Sequence, residues 1–176
     1  MPEPARGKPA AGVVLCYAGP VEEGERVLAP LRAFGPPAAD LVQPMPYTAV
    51  QQLLDHGNPP GMSNYWSGDF LASLPDEAID ALVSHAQPPA SPMSQMIIVA
   101  GGGILARTDD DATAFGQRKA PYNLHFLSMW APDPAEDQRN IDFTRAITAA
   151  MKPYTSRITL QKASAHASWW PPGKWV

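Results

Sequence analysis

One cysteine, Cys16, stands in 176 residues, so no internal disulfide can form. Cys16 lies between Leu15 and Tyr17 with no base beside it. A reactive thiolate needs an activating neighbour, so Cys16 reads as a small buried residue. No apolar run reaches ~18 residues, and no segment reads as a membrane-spanning helix. Residues 1–10, MPEPARGKPA, lack the apolar core of a signal peptide; they read as a flexible arm, and a cytoplasmic location is expected. Basic charge is scarce as well. Thirteen Lys and Arg against 17 Asp and Glu give a net charge of −4, which offers nothing for nucleic acid or an anionic membrane. His56, His85 and His166 show no ligand spacing with other metal-binding residues, so no metal site is expected.

Proline is abundant instead, at 21 residues, several of them paired: Pro36-Pro37, Pro59-Pro60, Pro88-Pro89 and Pro171-Pro172. Proline stops helices and cannot serve a central strand, so these pairs mark boundaries between elements. A hydrophobic fraction of 45% and a charged fraction of 17% suit one globular domain with its own core.

Ala11 to Tyr17 reads as a buried strand bounded by Gly19-Pro20, and Ala38 to Met45 as a second strand. Between them Val21, Val27, Leu28 and Leu31 recur at helical spacing, with Glu22, Glu23 and Glu25 at the positive end of the helix dipole. Tyr47 to Leu54 reads as a short helix and Met62 to Leu71 as a strand with Trp66 and Phe70 on one face. A helix follows, with Ser73 as its cap and Ala78, Ile79, Leu82 and Val83 as its buried stripe. Ser94 to Ala100 is an apolar strand that Ile104 to Arg107 continues or pairs with, and Glu136 to Met151 is a helix with Ile147 and Met151 toward the core.

The segment TAFGQRKAPYNLHFLSMW, Thr113 to Trp130, carries the most information. A polar turn holding Arg118 leads into a strand. Side chains alternate between faces along a strand, so Leu124, Phe126, Ser128 and Trp130 share a face suited to a core. Asn123, His125, Leu127 and Met129 share the other, where an imidazole and an amide stand in mid-strand. Successive strands without intervening helices near the end predict an α+β fold. It has one mostly antiparallel twisted sheet with helices packed on one face, and the other face is left for a partner to cover.

The same segment resembles the substrate-domain strand of FAD-linked oxidases of the berberine-bridge-enzyme-like, vanillyl-alcohol-oxidase-type group. LCYAGPVEEGERVLAPLRAFGPPAADLVQPMPY, Leu15 to Tyr47, and NYWSGDFLASLPDEAIDAL, Asn64 to Leu82, resemble neighbouring segments of that domain. The resemblance implies a substrate-binding domain over residues 11–155 without the FAD-binding domain. It also implies a flavin domain as the covering partner and an oxidoreductase acting on alcohol or sugar-like substrates. FAD is the family's cofactor, and none is expected on this chain alone. The family's acidic base falls at a strand position aligned with His125, and its Pro and His before the turn arginine are replaced here by Gly116 and Gln117. Residues 156–176 do not resemble the family. With Trp169, Trp170 and Trp175 close together, they read as an atypical, frameshifted or truncated tail.

His125 is either a half-buried imidazole bonded to a neighbour or a pocket residue that removes a substrate proton near neutral pH. Asn64, Trp66, Gln95 and Ile97, on strands expected to neighbour it, join His125 and Leu127 as candidate substrate-binding residues; Trp66 also fits plain core filling. In VAGGGILA, Gly101, Gly103 and Ala106 fit a relaxed dinucleotide fingerprint, but no helical stripe and no acidic residue ~20 positions on follow them. A bulge or a close backbone approach explains the glycines better. Asp109, Asp110 and Asp111 read as a solvated turn, and Arg118 as its anchor. A partner is expected for the uncovered face: a separate flavin-domain chain, or a second copy in a homo-oligomer. A stand-alone small-molecule-binding or cofactor-free α+β protein is the alternative, and a purely structural interaction module the third.

Overall fold

The computed structural model describes residues 10–86, 88–159 and 163–165 and divides into two units, Met1–Asn58 and Pro59–Val176. In the first unit, α1 (Val21–Arg32) carries Glu22 and Glu23 in its first turn and Arg32 in its last, the charge order a helix dipole favours. Gly24 is a poor helix former but has a packing reason. A Cβ there would come within 3.0 Å of the Tyr17 ring. Arg32 ties α1 to the chain beyond it. Its Nε donates to Asp40 Oδ2 at 2.8 Å, its Nη2 to the Val42 carbonyl at 3.1 Å, and its Nη1 pairs with Glu25. The bond to Glu25, then the charge of Asp40, raises the pKa of Arg32 further. A single turn, α2 (Tyr47–Val50), follows.

Neither strand expected in this unit is present. Residues 11–17 and 38–45 belong to no ladder among the described residues, and Val13, Val14, Leu41 and Cys16 are exposed. Apolar composition makes a strand only where a neighbour accepts its main-chain bonds. Pro20, Pro36, Pro37, Pro44 and Pro46 interrupt any such pairing on both flanks.

The second unit holds β1 (Ser63–Leu71), α3 (Asp76–Ala86), β2 (Gln95–Ala100), α4 (Ile104–Arg107), β3 (Tyr122–Trp130), α5 (Pro134–Met151), β4 (Thr155–Thr159) and β5 (Ala163–Ala165). The five strands form one sheet in the order β2-β3-β1-β4, with β5 also on β1. Every pairing is antiparallel. The fold is α+β, with helices on one face of the sheet. On that face Leu71, Leu124 and Phe126 pack with Ala78 and Leu82 of α3 and with Ile147 and Met151 of α5. The tail expected from residue 156 onward thus contributes β4 and β5 to the sheet, and Trp169, Trp170 and Trp175 lie outside the described residues.

Local chemistry places α5. Asp133 caps it by accepting the Ala135 N–H at 2.9 Å, Pro134 takes the first turn, and Trp130 Nε1 donates to Asp137 Oδ1 at 2.9 Å. Two polar links lie under the helices. The Ser128 and Thr144 hydroxyls meet at 2.7 Å, and buried Asp69 accepts from the Phe70 N–H at 2.9 Å and from Lys152 Nζ at 3.3 Å. The stripe expected on α3 is narrower than its periodicity. Ala78 and Leu82 are buried, whereas Ile79 and Val83 are exposed, because α3 packs chiefly on α5. Ile104–Arg107 does not extend the sheet. Gly103, at φ 56°, turns the chain into one helical turn. Gly101 instead brings two segments close. Its N–H donates to the Pro121 carbonyl at 2.7 Å, and a Cβ would lie 3.4 Å from the Ala120 carbonyl oxygen. Among the described residues β2 is paired on one side only, by β3, and Ile98 and Val99 are exposed on it.

Candidate functional site on the open sheet face

The face of the sheet opposite the helices collects the candidate residues. Register fixes this: Trp66 stands opposite Leu127, Gly68 opposite His125, Phe70 opposite Asn123 and Asn64 opposite Met129. On the other side of β3, Gln95 stands opposite Leu127, Ile97 opposite His125 and Val99 opposite Asn123. Asn64, Trp66, Gln95, Ile97, His125 and Leu127 therefore share one face of the sheet, on which Trp66 is half-exposed whereas Leu127, Met129 and Phe70 are buried. Residues facing one another across a ladder are within side-chain contact.

His125 is central and lightly enclosed. Its neighbour on β1 is Gly68. The ring of half-exposed Trp66 meets it edge-on, centroids 5.7 Å apart at 70°. Partial burial pushes the His125 pKa below 6.5, because removing water disfavours the imidazolium. The neutral form can accept a proton, as a base must.

Linkage gives the sign of the consequence. Unfolded, His125 titrates near 6.5; folded, lower. Its contribution to stability is fully present above about pH 6.5 and is lost as pH falls from there to the folded-state pKa. His125→Asn therefore loses less thermal stability between pH 7.5 and pH 5 than the parent does. Equal losses in the two melting series would contradict the folded-state burial of this ring.

At one end of the face the loop 108–118 folds over. Phe115 meets Phe70 edge-on, centroids 6.5 Å apart, and the Arg118 guanidinium lies 5.3 Å from the Phe115 ring centroid. The Arg118 N–H donates to Asp110 Oδ1 at 2.8 Å, and its Nη2 bonds Thr113 Oγ1. Arg118 thus anchors the turn through both main chain and side chain. Gln117 holds φ 62°, a left-handed conformation that costs a residue with a Cβ about 1–2 kcal/mol and recurs at functional loops. Phe115 and the burial of Arg118 were not anticipated from the sequence. The accessible signal was an aromatic three residues before an arginine in a loop that leads into a two-faced strand.

No protein-family model matches the sequence. The sequence and the fold are each similar to part of larger flavin-linked proteins. The sequence is 26% identical over 148 residues, 81% of this chain, to an FAD-linked oxidoreductase of Dictyostelium discoideum, of which it covers 32%. The fold is shared with BBE-like protein 28 of Arabidopsis thaliana, at 17% identity and a TM-score of 0.60 over 80% of this chain and 32% of that one. It is also shared with CrmK, a flavoenzyme of shunt product recycling in caerulomycin biosynthesis. There the identity is 24% and the TM-score 0.59, over 76% of this chain and 28% of that one. The chain thus spans about a third of the length of these relatives.

Proposed function

We propose that this chain is the substrate-binding domain of an FAD-dependent oxidoreductase acting on alcohol-type substrates, with its open sheet face as the wall opposite the flavin ring. The flavin-bearing part is supplied by other sequence, on a second polypeptide or on the same one. The observation that carries this reading is the juxtaposition of Trp66, His125 and Gly68 on a face the helices leave uncovered, with the His125 pKa lowered.

The described residues suit one half of an FAD molecule. This face of the sheet offers a partly apolar wall, exposed at Trp66 and Val99 and buried at Phe70, Leu127 and Met129. A diphosphate needs a glycine turn feeding a helix of useful length, and Gly101–Gly103 feeds only the four residues of α4. The diphosphate is therefore held elsewhere. When bound, the flavin supplies the hydride acceptor. This chain's residues hold the substrate against it, with His125 Nδ1 or Nε2 taking the hydroxyl proton.

Purified alone, the chain should show no stoichiometric flavin absorbance and no oxidase turnover. Co-expressed with a flavin-domain chain encoded nearby, it should give turnover that His125→Gln lowers by about 10²-fold or more, the usual share of a general base. A stoichiometric FAD spectrum from the isolated chain would overturn the division of labour. Undiminished turnover in His125→Gln would remove His125 from the chemistry.

A further inference from the structure

We propose that the open face ends in a carboxylate-binding corner built on Arg118, and that the ligand of this face is an aromatic carboxylate; this rests on the reading of that face as a substrate wall. Arg118 is 8% exposed, yet no carboxylate among the described residues pairs with its guanidinium. Its Nη2 is taken by the Thr113 hydroxyl, its Nε is sealed without an acceptor, and its Nη1 has none among the described residues. Asp110 is turned to the Arg118 main-chain N–H instead. A buried cation without a counter-ion is costly, and the ring of Phe115 offsets only part of that cost. A bound anion supplies a partner at the outer edge of the guanidinium, where Nη1 and the second N–H of Nη2 point the same way and match the fork of a carboxylate.

The route to that corner is aromatic. Trp66 touches His125, Phe70 lies diagonally across the ladder from His125, Phe115 touches Phe70, and Arg118 lies over Phe115. This stripe runs from the imidazole to the guanidinium, exposed at Trp66 and Phe115 and buried at Phe70 between them. Midway, the Asn123 Oδ1 is buried without a donor, beside Phe70 and Val99 in the register. A planar ring bearing a carboxylate lies along such a stripe with its charged end at Arg118 and an alcohol group toward His125.

The test compares 4-(hydroxymethyl)benzoate with its neutral methyl ester, titrated calorimetrically into the full chain. The acid should bind at least tenfold more tightly than the ester. Arg118→Gln should abolish that preference, while Trp66→Leu weakens both ligands. If Arg118→Gln does not fold, the acid-to-ester ratio in the parent protein and in Thr113→Val still decides. Equal affinities for acid and ester overturn the carboxylate corner. If both then weaken in Trp66→Leu, the face remains a ligand wall. Binding of neither compound overturns the corner and the wall together.

Discussion

Leu124→Ala lowers the unfolding free energy by about 2–5 kcal/mol, the range for removing a fully buried leucine side chain. Leu124 is wholly buried in the middle strand of the sheet and packs in the cluster with Phe126, Ala78, Leu82, Ile147 and Met151. Its β-strand partners are Asp69 on one side and Ile98 on the other, so the ladder holds the backbone in place and the site cannot collapse to refill the space. Urea unfolding should show a lower midpoint with an unchanged slope, the signature of altered stability rather than altered unfolded state. Val83→Ala, at an exposed position of α3, should stay within about 0.5 kcal/mol of the parent. If the two variants cost the same, the helices do not pack on this face of the sheet.

The second large effect belongs to a pair of hydroxyls. Ser128 and Thr144 are buried and 2.7 Å apart, bonded to each other between β3 and α5. Thr144→Val keeps the shape but strands the Ser128 hydroxyl without a partner, at a cost of about 1–3 kcal/mol. Ser128→Ala alone strands the threonine in the same way. The double variant removes both polar groups and should be more stable than the sum of the two losses implies, by about 1 kcal/mol or more in a double-mutant cycle. Additive losses would mean that the two hydroxyls do not serve each other.

The legible parts of the chain were those whose pattern is decided locally. Tyr122–Trp130 was readable to the residue, because alternation names both faces at once and Pro121 and the loop after Trp130 close its ends. The inward positions of α5 were readable from Ile147 and Met151 at four-residue spacing, although its start at Pro134 under the Asp133 cap was not. Residues 11–17 and 38–45 failed for the opposite reason. Their composition favours strands, but a strand exists only with a partner, and no local signal supplies one. Cys16 went with them: read as a small buried residue between Leu15 and Tyr17, it is exposed. Of the candidate surface, parity alone placed Trp66, His125 and Leu127 together. Phe115 was beyond reach, since its position depends on Arg118 and on a left-handed Gln117 in a loop.

The outer margin of β2 has a practical consequence. Between Gln95 and Gly103 the sequence has neither a charge nor a proline, the devices by which natural sheets repel strangers at their rims. Ile98 and Val99 therefore stand exposed at an edge that, among the described residues, pairs with no strand on its outer side, where an extended apolar peptide can add. Charging that margin, as in Val99→Lys, is expected to raise the concentration at which the polypeptide stays monodisperse in light scattering without lowering its melting temperature.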